Sequence, residues 1–136
     1  MRVVLDTNVF LISLPKRSQY RVIFDALLSR KIELIITQDI LSEYVEIIGE
    51  KASPTVANNV AELLINLPNI QQVEVFYRWD LIKSDKEDNK FVDAAVSGNA
   101  DFIVSNDRHF DVLQKTEFPP VKCISSSEFM EILAGT

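Results

Sequence analysis

Asp6, Glu43, Asp88 and Asp107 are the residues of this sequence best placed to do chemistry. Asp6 closes the apolar run Val3-Val4-Leu5, and Asp107 follows Phe102-Ile103-Val104 in the stretch Ser105-Asn106-Asp107-Arg108-His109. Asp88 precedes Phe91, Val92 and Ala95 at i+3, i+4 and i+7, which on a helix sets it in the middle of the apolar stripe. Glu43 borders the stripe of Ile40, Leu41, Tyr44, Ile47 and Ile48, whereas Glu46 and Glu50 turn further toward solvent. Each acid has a plain alternative: Asp6 (or Asn8), Asp88 and Asp107 are all positioned to cap a helix, and a border glutamate is commonly solvated. One geometry accounts for all four. Carboxylates gathered at one point repel and raise one another's pKa, and a divalent cation removes that penalty. Oxygen ligands without His or Cys select a hard ion, Mg²⁺ or Mn²⁺, rather than zinc.

Residue scarcity excludes the main competitors. One His and one Cys cannot assemble a Cys/His zinc site or an internal disulfide. Gly49, Gly98 and Gly135 are too far apart for a phosphate loop or a dinucleotide fingerprint. Cys123, in Val121-Lys122-Cys123-Ile124, reads as a small core residue rather than a reactive thiol. His109, between Arg108 and Phe110, is expected to have no catalytic role, and Tyr77 and Trp79 to make core or dimer contacts.

The elements that must position the acids alternate along the chain. Strands are expected at Arg2–Leu5, Glu33–Ile36, Ile70–Val75, Phe102–Val104 and Val121–Ile124. Ser18–Arg30 reads as a helix with Val22, Ile23, Ala26 and Leu27 on one face. Thr37 is the expected N-cap of a helix running to about Gly49, and Ser53-Pro54 opens another running to about Leu67. After the polar Ser84–Asp88, a helix should run to Ser97 with Gly98 as its stop and with Asp93 facing water. Ser125 and Glu128 form a capping-box pattern ahead of a closing helix. Such alternation implies an α/β fold, a three-layer α/β/α with a central, mostly parallel five-stranded sheet. Ligands then bind beyond the carboxyl ends of the strands, where Asp6 and Asp107 stand.

A length of 136 residues, 47% of them hydrophobic and 25% charged, fits one soluble domain over 1–136. Apolar runs stay short of the ~18 residues a membrane span needs. Asp6 also interrupts any signal-peptide core, so a cytoplasmic location is expected. The net charge of −6 argues against bulk electrostatic attraction to nucleic acid and predicts weak non-specific RNA binding. Local basic residues (Lys16, Arg17, Arg21, Arg30, Lys31 and Arg108) are the candidate phosphate contacts, Arg17 and Arg108 foremost.

The sequence resembles the PIN-domain family in segments spread over nearly its whole length. These are Val4-Leu5-Asp6-Thr7-Asn8-Val9-Phe10, Thr37-Gln38-Asp39-Ile40-Leu41-Ser42-Glu43-Tyr44, the run from Asp85 through Asp88-Asn89-Lys90-Phe91, and Ala100-Asp101-Phe102-Ile103-Val104-Ser105-Asn106-Asp107. The resemblance is to the VapC-like ribonuclease toxins of toxin–antitoxin pairs in particular. It implies that Asp6, Glu43, Asp88 and Asp107 form the catalytic and metal-binding acidic quartet. Thr7 and Asn8 would support the first acid, with Ser105 standing where the family commonly has Thr. Asp85 and Glu87 are open alternatives in the loop. The implied activity is metal-dependent endoribonuclease cleavage: one or two Mg²⁺ or Mn²⁺ ions, water attacking in line, and 5′-phosphate and 3′-hydroxyl ends. RNA, a cognate antitoxin and a second copy of the chain are the implied partners. Two other readings compete: a catalytically silent interaction domain on the same fold, and a haloacid-dehalogenase-type phosphatase. The latter wants a second Asp where this chain has Asn8.

Overall fold

Val3, Val4 and Leu5 are consecutive and all at most 1% exposed, which a strand achieves only when both of its faces are covered. In a computed structural model describing residues 1–135, they form β1 (Arg2–Leu5), the middle strand of a five-stranded sheet. The others are β2 (Glu33–Ile36), β3 (Ile70–Gln72), β4 (Phe102–Val104) and β5 (Cys123–Ile124), in the order β3-β2-β1-β4-β5. Every pairing is parallel. The helices are α1 (Thr7–Ser13), α2 (Arg21–Leu28), α3 (Gln38–Lys51), α4 (Pro54–Asn66), α5 (Asn89–Ser97) and α6 (Ser126–Ala134). Short 3₁₀ segments lie at Lys86–Asp88 and Arg108–Lys115. The three-layer α/β expectation is met, with a sheet that is parallel throughout.

The caps read from the sequence are made. Thr37 accepts from the Ile40 amide over 3.1 Å, Ser53 accepts from the Val56 amide over 3.1 Å, and Ser125 with Glu128 forms a complete capping box. Boundaries differ where side-chain pattern and backbone pairing diverge. The Ser18–Arg30 helix starts only at Arg21, because Ser18 and Tyr20 form a turn in which the Ser18 hydroxyl accepts from the Tyr20 amide. Its buried face is Ile23, Phe24, Ala26 and Leu27, and Val22 is exposed. β3 stops at Gln72, because the chain beyond Val73 runs past the end of its only neighbour, β2. Likewise β5 is only Cys123–Ile124.

Two further expectations are corrected. Asp93 does not face water: it is 6% exposed, and its Oδ1 accepts from the Trp79 amide over 3.0 Å. The segment after β3 folds back over α5 and covers the side that periodicity assigned to solvent. Gly98 ends α5 with a negative φ, and the left-handed residue is Asn99 at φ 54°. Glycine is needed at 98 for space, since a Cβ there would come within 2.8 Å of the Ile35 side chain on β2.

The order of connections places a functional address in the sheet. From β1 the chain moves outward through β2 to β3, then crosses back to the other side of β1 for β4 and β5. The carboxyl ends of β1 and β4 therefore flank the switch point, the crevice where open parallel sheets bind ligands.

Candidate metal centre

Asp6 and Ser105 are the first residues beyond those two strand ends. The Asp6 amide donates to the Val104 carbonyl over 3.0 Å, extending the β1–β4 ladder by one step and setting the two side chains together. The Ser105 hydroxyl donates to Asp6 Oδ2 over 2.7 Å, and its oxygen accepts from the Asp107 amide over 3.0 Å. One hydroxyl thus orients the first and last acids. Asp6 stands at the N-cap of α1 but makes no side-chain capping bond, so capping does not explain it. It is buried, at 6% exposure. Burial pushes its carboxyl up to about 6; the Ser105 hydrogen bond and the Thr7 amide oppose this, while the charges of Asp88 and Asp107 add to it.

Asp88 arrives from the other side, at the junction of the 3₁₀ turn Lys86–Asp88 with α5, and it too makes no side-chain capping bond. Its carboxyl is raised mainly by burial and also by the charges of Asp85 and Asp107, against a lowering hydrogen bond from His109. Asp107 does serve as a cap, accepting from the His109 amide over 2.9 Å. Capping and clustering are compatible here because the same Oδ1 lies 3.2 Å from His109 Nδ1.

Glu43 connects to this group differently. Its Oε2 accepts from the Thr7 hydroxyl, and its Oε1 accepts from Lys90 Nζ over 2.7 Å. α3 is set at this depth by Tyr44, which is fully buried, stacks on Phe10 at 4.4 Å and donates to the Leu5 carbonyl over 2.5 Å. Thr7 therefore supports Asp6 through its backbone amide while its hydroxyl serves Glu43. Asn8, expected to support the first acid, is exposed on α1 and makes no side-chain hydrogen bond to another described residue.

Two participants, Lys90 and Asn89, were not singled out from the sequence, and a third, His109, was given no catalytic role there. Lys90 sits in the first turn of α5, where the helix dipole disfavours a cation; that misfit was the available signal, and Glu43 with Glu87 (3.2 Å) resolves it. Burial opposes the charge of Lys90, but the hydrogen bonds and charges of those two glutamates leave its pKa raised. Asn89 is buried and clamps Ile82, accepting from its amide (2.8 Å) and donating to its carbonyl (2.9 Å). With Asp93 one turn on, it pins residues 79–82 to α5, a role with no local sequence signature. His109, read from the sequence as non-catalytic, has its Nδ1 3.1 Å from Asp88, 3.2 Å from Asp107 and 3.6 Å from Asp85, and hydrogen bonding to Asp88 foremost raises its pKa.

The basic residues are less converged. Arg108 is exposed beside Asp107, and Arg17 is exposed between α1 and α2; neither pairs with another described residue. Arg21 is held by Asp25 at 3.0 Å and by the Leu14 carbonyl. A cleft of about 1090 Å³ borders the acids, with Glu43, Glu87, Lys90, Arg78 and the 87%-exposed Phe76 along it. Asp6, Asp88 and Asp107 do not line the cleft, which meets the acid group at Glu43 and Lys90. Tyr77 is exposed rather than core and lies 4.6 Å from Trp79, which in turn lies 5.4 Å from Phe118. The Cys123 thiol is partly buried, and burial foremost pushes it up to about 12, which disfavours the reactive thiolate.

Asp6, Asp88 and Asp107 come from three separate segments, and the charges of Asp88 and Asp107 add to the raising of Asp6. Among the described residues, the group whose donor atoms all lie within 4.8 Å of one another is Asp85, Asp88 and His109, a set rich in the oxygen ligands a hard dication takes.

A family model described as a PIN domain matches residues 2–109. No curated protein sequence matches the chain. Among solved structures, the fold is similar to VapBC2 from Rickettsia felis bound to a DNA fragment from their promoter, with a TM-score of 0.62 and 15% identity over 92% of this chain and 98% of that one. It is similar to VapBC-1 from nontypeable Haemophilus influenzae, with a TM-score of 0.59 and 14% identity over 93% and 99% of the two chains. FitAB bound to an IR36 DNA fragment aligns with a TM-score of 0.58 and 17% identity over 91% and 94%. At these identities the shared property is the fold.

Proposed function

The chain belongs to the PIN-domain family, and on that premise we propose that it is a single-domain, metal-dependent endoribonuclease, the toxin of a type II toxin–antitoxin pair. The observation that supports the reading is the linked geometry at the switch point: the Ser105 hydroxyl joins Asp6 to the Asp107 backbone, and His109 Nδ1 lies within 3.2 Å of both Asp107 and Asp88, with the charges of Asp88 and Asp107 opposing ionisation of Asp6. Isolated helix caps have no reason to converge.

In this reading Asp6, Asp88 and Asp107 hold Mg²⁺ or Mn²⁺, with Asp85 at the edge. When bound, a hard dication supplies positive charge for the phosphoryl oxygens and a more acidic water for in-line attack, leaving 5′-phosphate and 3′-hydroxyl ends. Ser105 fixes the rotamer of Asp6 and the backbone of Asp107, whose own carboxylate is held by the His109 amide, so that the carboxylates need no rearrangement. Glu43, whose two oxygens are taken by Thr7 and Lys90, acts chiefly by holding the Lys90 ammonium at the mouth of the cleft. There the ammonium meets the backbone phosphate of an RNA strand, which otherwise faces carboxylates. Arg108 and Arg17 contribute further, weaker phosphate contacts.

The antitoxin partner is supported by fold likeness to chains solved in the VapBC and FitAB complexes. A homodimer, which would lengthen the groove, and a cytoplasmic location complete the reading. No helix among the described residues is long and apolar enough to cross a membrane.

The test is cleavage of labelled RNA by the wild-type protein and Asp6→Asn, each with Mn²⁺ or with EDTA. Cleavage that needs the metal and is lost in the variant is the expected result. Equal cleavage by both proteins, or cleavage unaffected by EDTA, refutes the proposal. Absence of cleavage on any RNA despite tight metal binding favours the silent interaction domain.

A further inference from the structure

We infer that His109 supplies a nitrogen ligand to the acidic centre, so that the site prefers Mn²⁺ and later first-row dications over Mg²⁺. The inference rests on the reading of the acids as a metal centre and changes its composition, which composition alone had made all-oxygen.

The geometry around the ring is the starting point. Nδ1 of His109 has carboxylate oxygens of Asp88, Asp107 and Asp85 at 3.1, 3.2 and 3.6 Å. A ring nitrogen carries at most one proton and so satisfies one acceptor. Asp107 Oδ1, which also accepts from the His109 amide, and Asp85 Oδ2 then face the same atom with no ring hydrogen between. A cation shared by the nitrogen and the carboxylates offsets the gathered negative charge. The spacing is also right: ligands at ~2.1 Å in adjacent positions of a six-coordinate ion lie about 3 Å apart. Donor atoms of Asp85, Asp88 and His109 all fall within 4.8 Å of one another.

The ring is held at this point by design of the backbone rather than by packing. The His109 amide donates to Asp107 Oδ1 over 2.9 Å, fixing the start of the 3₁₀ segment Arg108–Lys115 against the acid it follows. The side chain is 39% exposed, so burial of an apolar ring does not explain its position. Phe110, the next residue, is buried against Phe91 of α5 at 6.4 Å between centroids, which ties the histidine-bearing turn to the helix that starts at Asp88.

The chemical consequence follows from ligand softness. Mg²⁺ favours oxygen and gains little from imidazole, whereas affinity for a site containing nitrogen rises from Mn²⁺ through Fe²⁺ and Co²⁺ to Ni²⁺. The lone histidine thereby sets metal specificity.

Mn²⁺ alone is the probe. Metal-free wild type, His109→Ala and His109→Asn are titrated with Mn²⁺ by electron paramagnetic resonance, with Mg²⁺ as competitor, and the loaded samples are examined for ¹⁴N electron spin-echo modulation. The expected result is nitrogen modulation in the wild type that disappears in both variants. Mn²⁺ affinity should fall at least about tenfold, with Mg²⁺ affinity shifting far less. Melting curves in EDTA establish that the variants are folded. Mn²⁺ bound by the wild type without nitrogen modulation, or modulation that persists in His109→Ala, overturns the inference and leaves the carboxylate centre standing; the histidine is then a counter-ion. No Mn²⁺ binding by the wild type overturns this inference, and only the absence of Mg²⁺ binding as well, read by calorimetry on the same samples, removes the nuclease reading.

Discussion

Replacing Asp6 with Asn should make the metal-free protein more stable while destroying its response to metal. Asp6 is buried beside Asp88 and Asp107, and its carboxyl is raised from 3.8 to about 6, burial being the largest cause. At about 1.36 kcal/mol per pH unit, ionising it inside the fold is unfavourable by about 3 kcal/mol relative to the unfolded chain. The sign follows from proton counting. Between pH 3.8 and about 6 the folded state retains a proton that the unfolded chain has released. Stability contributed by protonated Asp6 is therefore fully present below the lower value and lost as pH rises toward the upper one. Asparagine keeps the shape and an acceptor for the Ser105 hydroxyl but has no charge to lose. In EDTA at pH 7 the variant should gain about 1–3 kcal/mol, which for a domain of this size raises Tm by roughly 5–10 °C. Differential scanning calorimetry or urea titration from pH 4 to 8 measures this; the wild-type-minus-variant curve should fall between about pH 4 and 6 and be flat above. Adding Mn²⁺ should stabilise the wild type and leave Asp6→Asn unchanged. A variant no more stable than wild type in EDTA at pH 7, or a difference curve flat from pH 4 to 6, refutes the account of Asp6 as a carboxylate raised by burial and by its acidic neighbours.

Three other perturbations test the frame around the site. Asn89→Ala removes both bonds to Ile82 and should cost roughly 2–3 kcal/mol in urea unfolding, with faster amide exchange over residues 79–82. Gly98→Ala drives a methyl against Ile35 at 2.8 Å and should cost about 1–3 kcal/mol, whereas Gly135→Ala, with nothing nearer than 3.6 Å, should be close to neutral; equal effects contradict the packing argument. Lys90→Gln leaves Glu43 with only the Thr7 hydroxyl and should lower RNA cleavage by roughly 10- to 100-fold with a smaller effect on Mn²⁺ binding. A fall in metal affinity as large as the fall in rate would instead place the lysine's effect on the metal.

Local physics made much of the fold legible. Val3-Val4-Leu5 is a continuous buried run because a central parallel strand has no solvent face, and Thr37, Ser53 and Ser125 announce helices because a cap is a bond between residues three apart. The same is true of Asp6 and Asp107, since the residue after a parallel strand sits at the ligand-binding end whatever the loops do. Tertiary structure decided what depends on the segment lying opposite. Asp93 is buried because residues 76–82 return over α5, and no helical periodicity contains that return. Glu43 faces Lys90, 47 residues away, and His109 meets Asp88, 21 residues away, only because α3, α5 and the turn after β4 converge on one sheet end. A sequence specifies its short-range bonds residue by residue. Long-range partners arise from the packing of whole elements, so here the acids at the strand ends were readable but the nitrogen beside them was not.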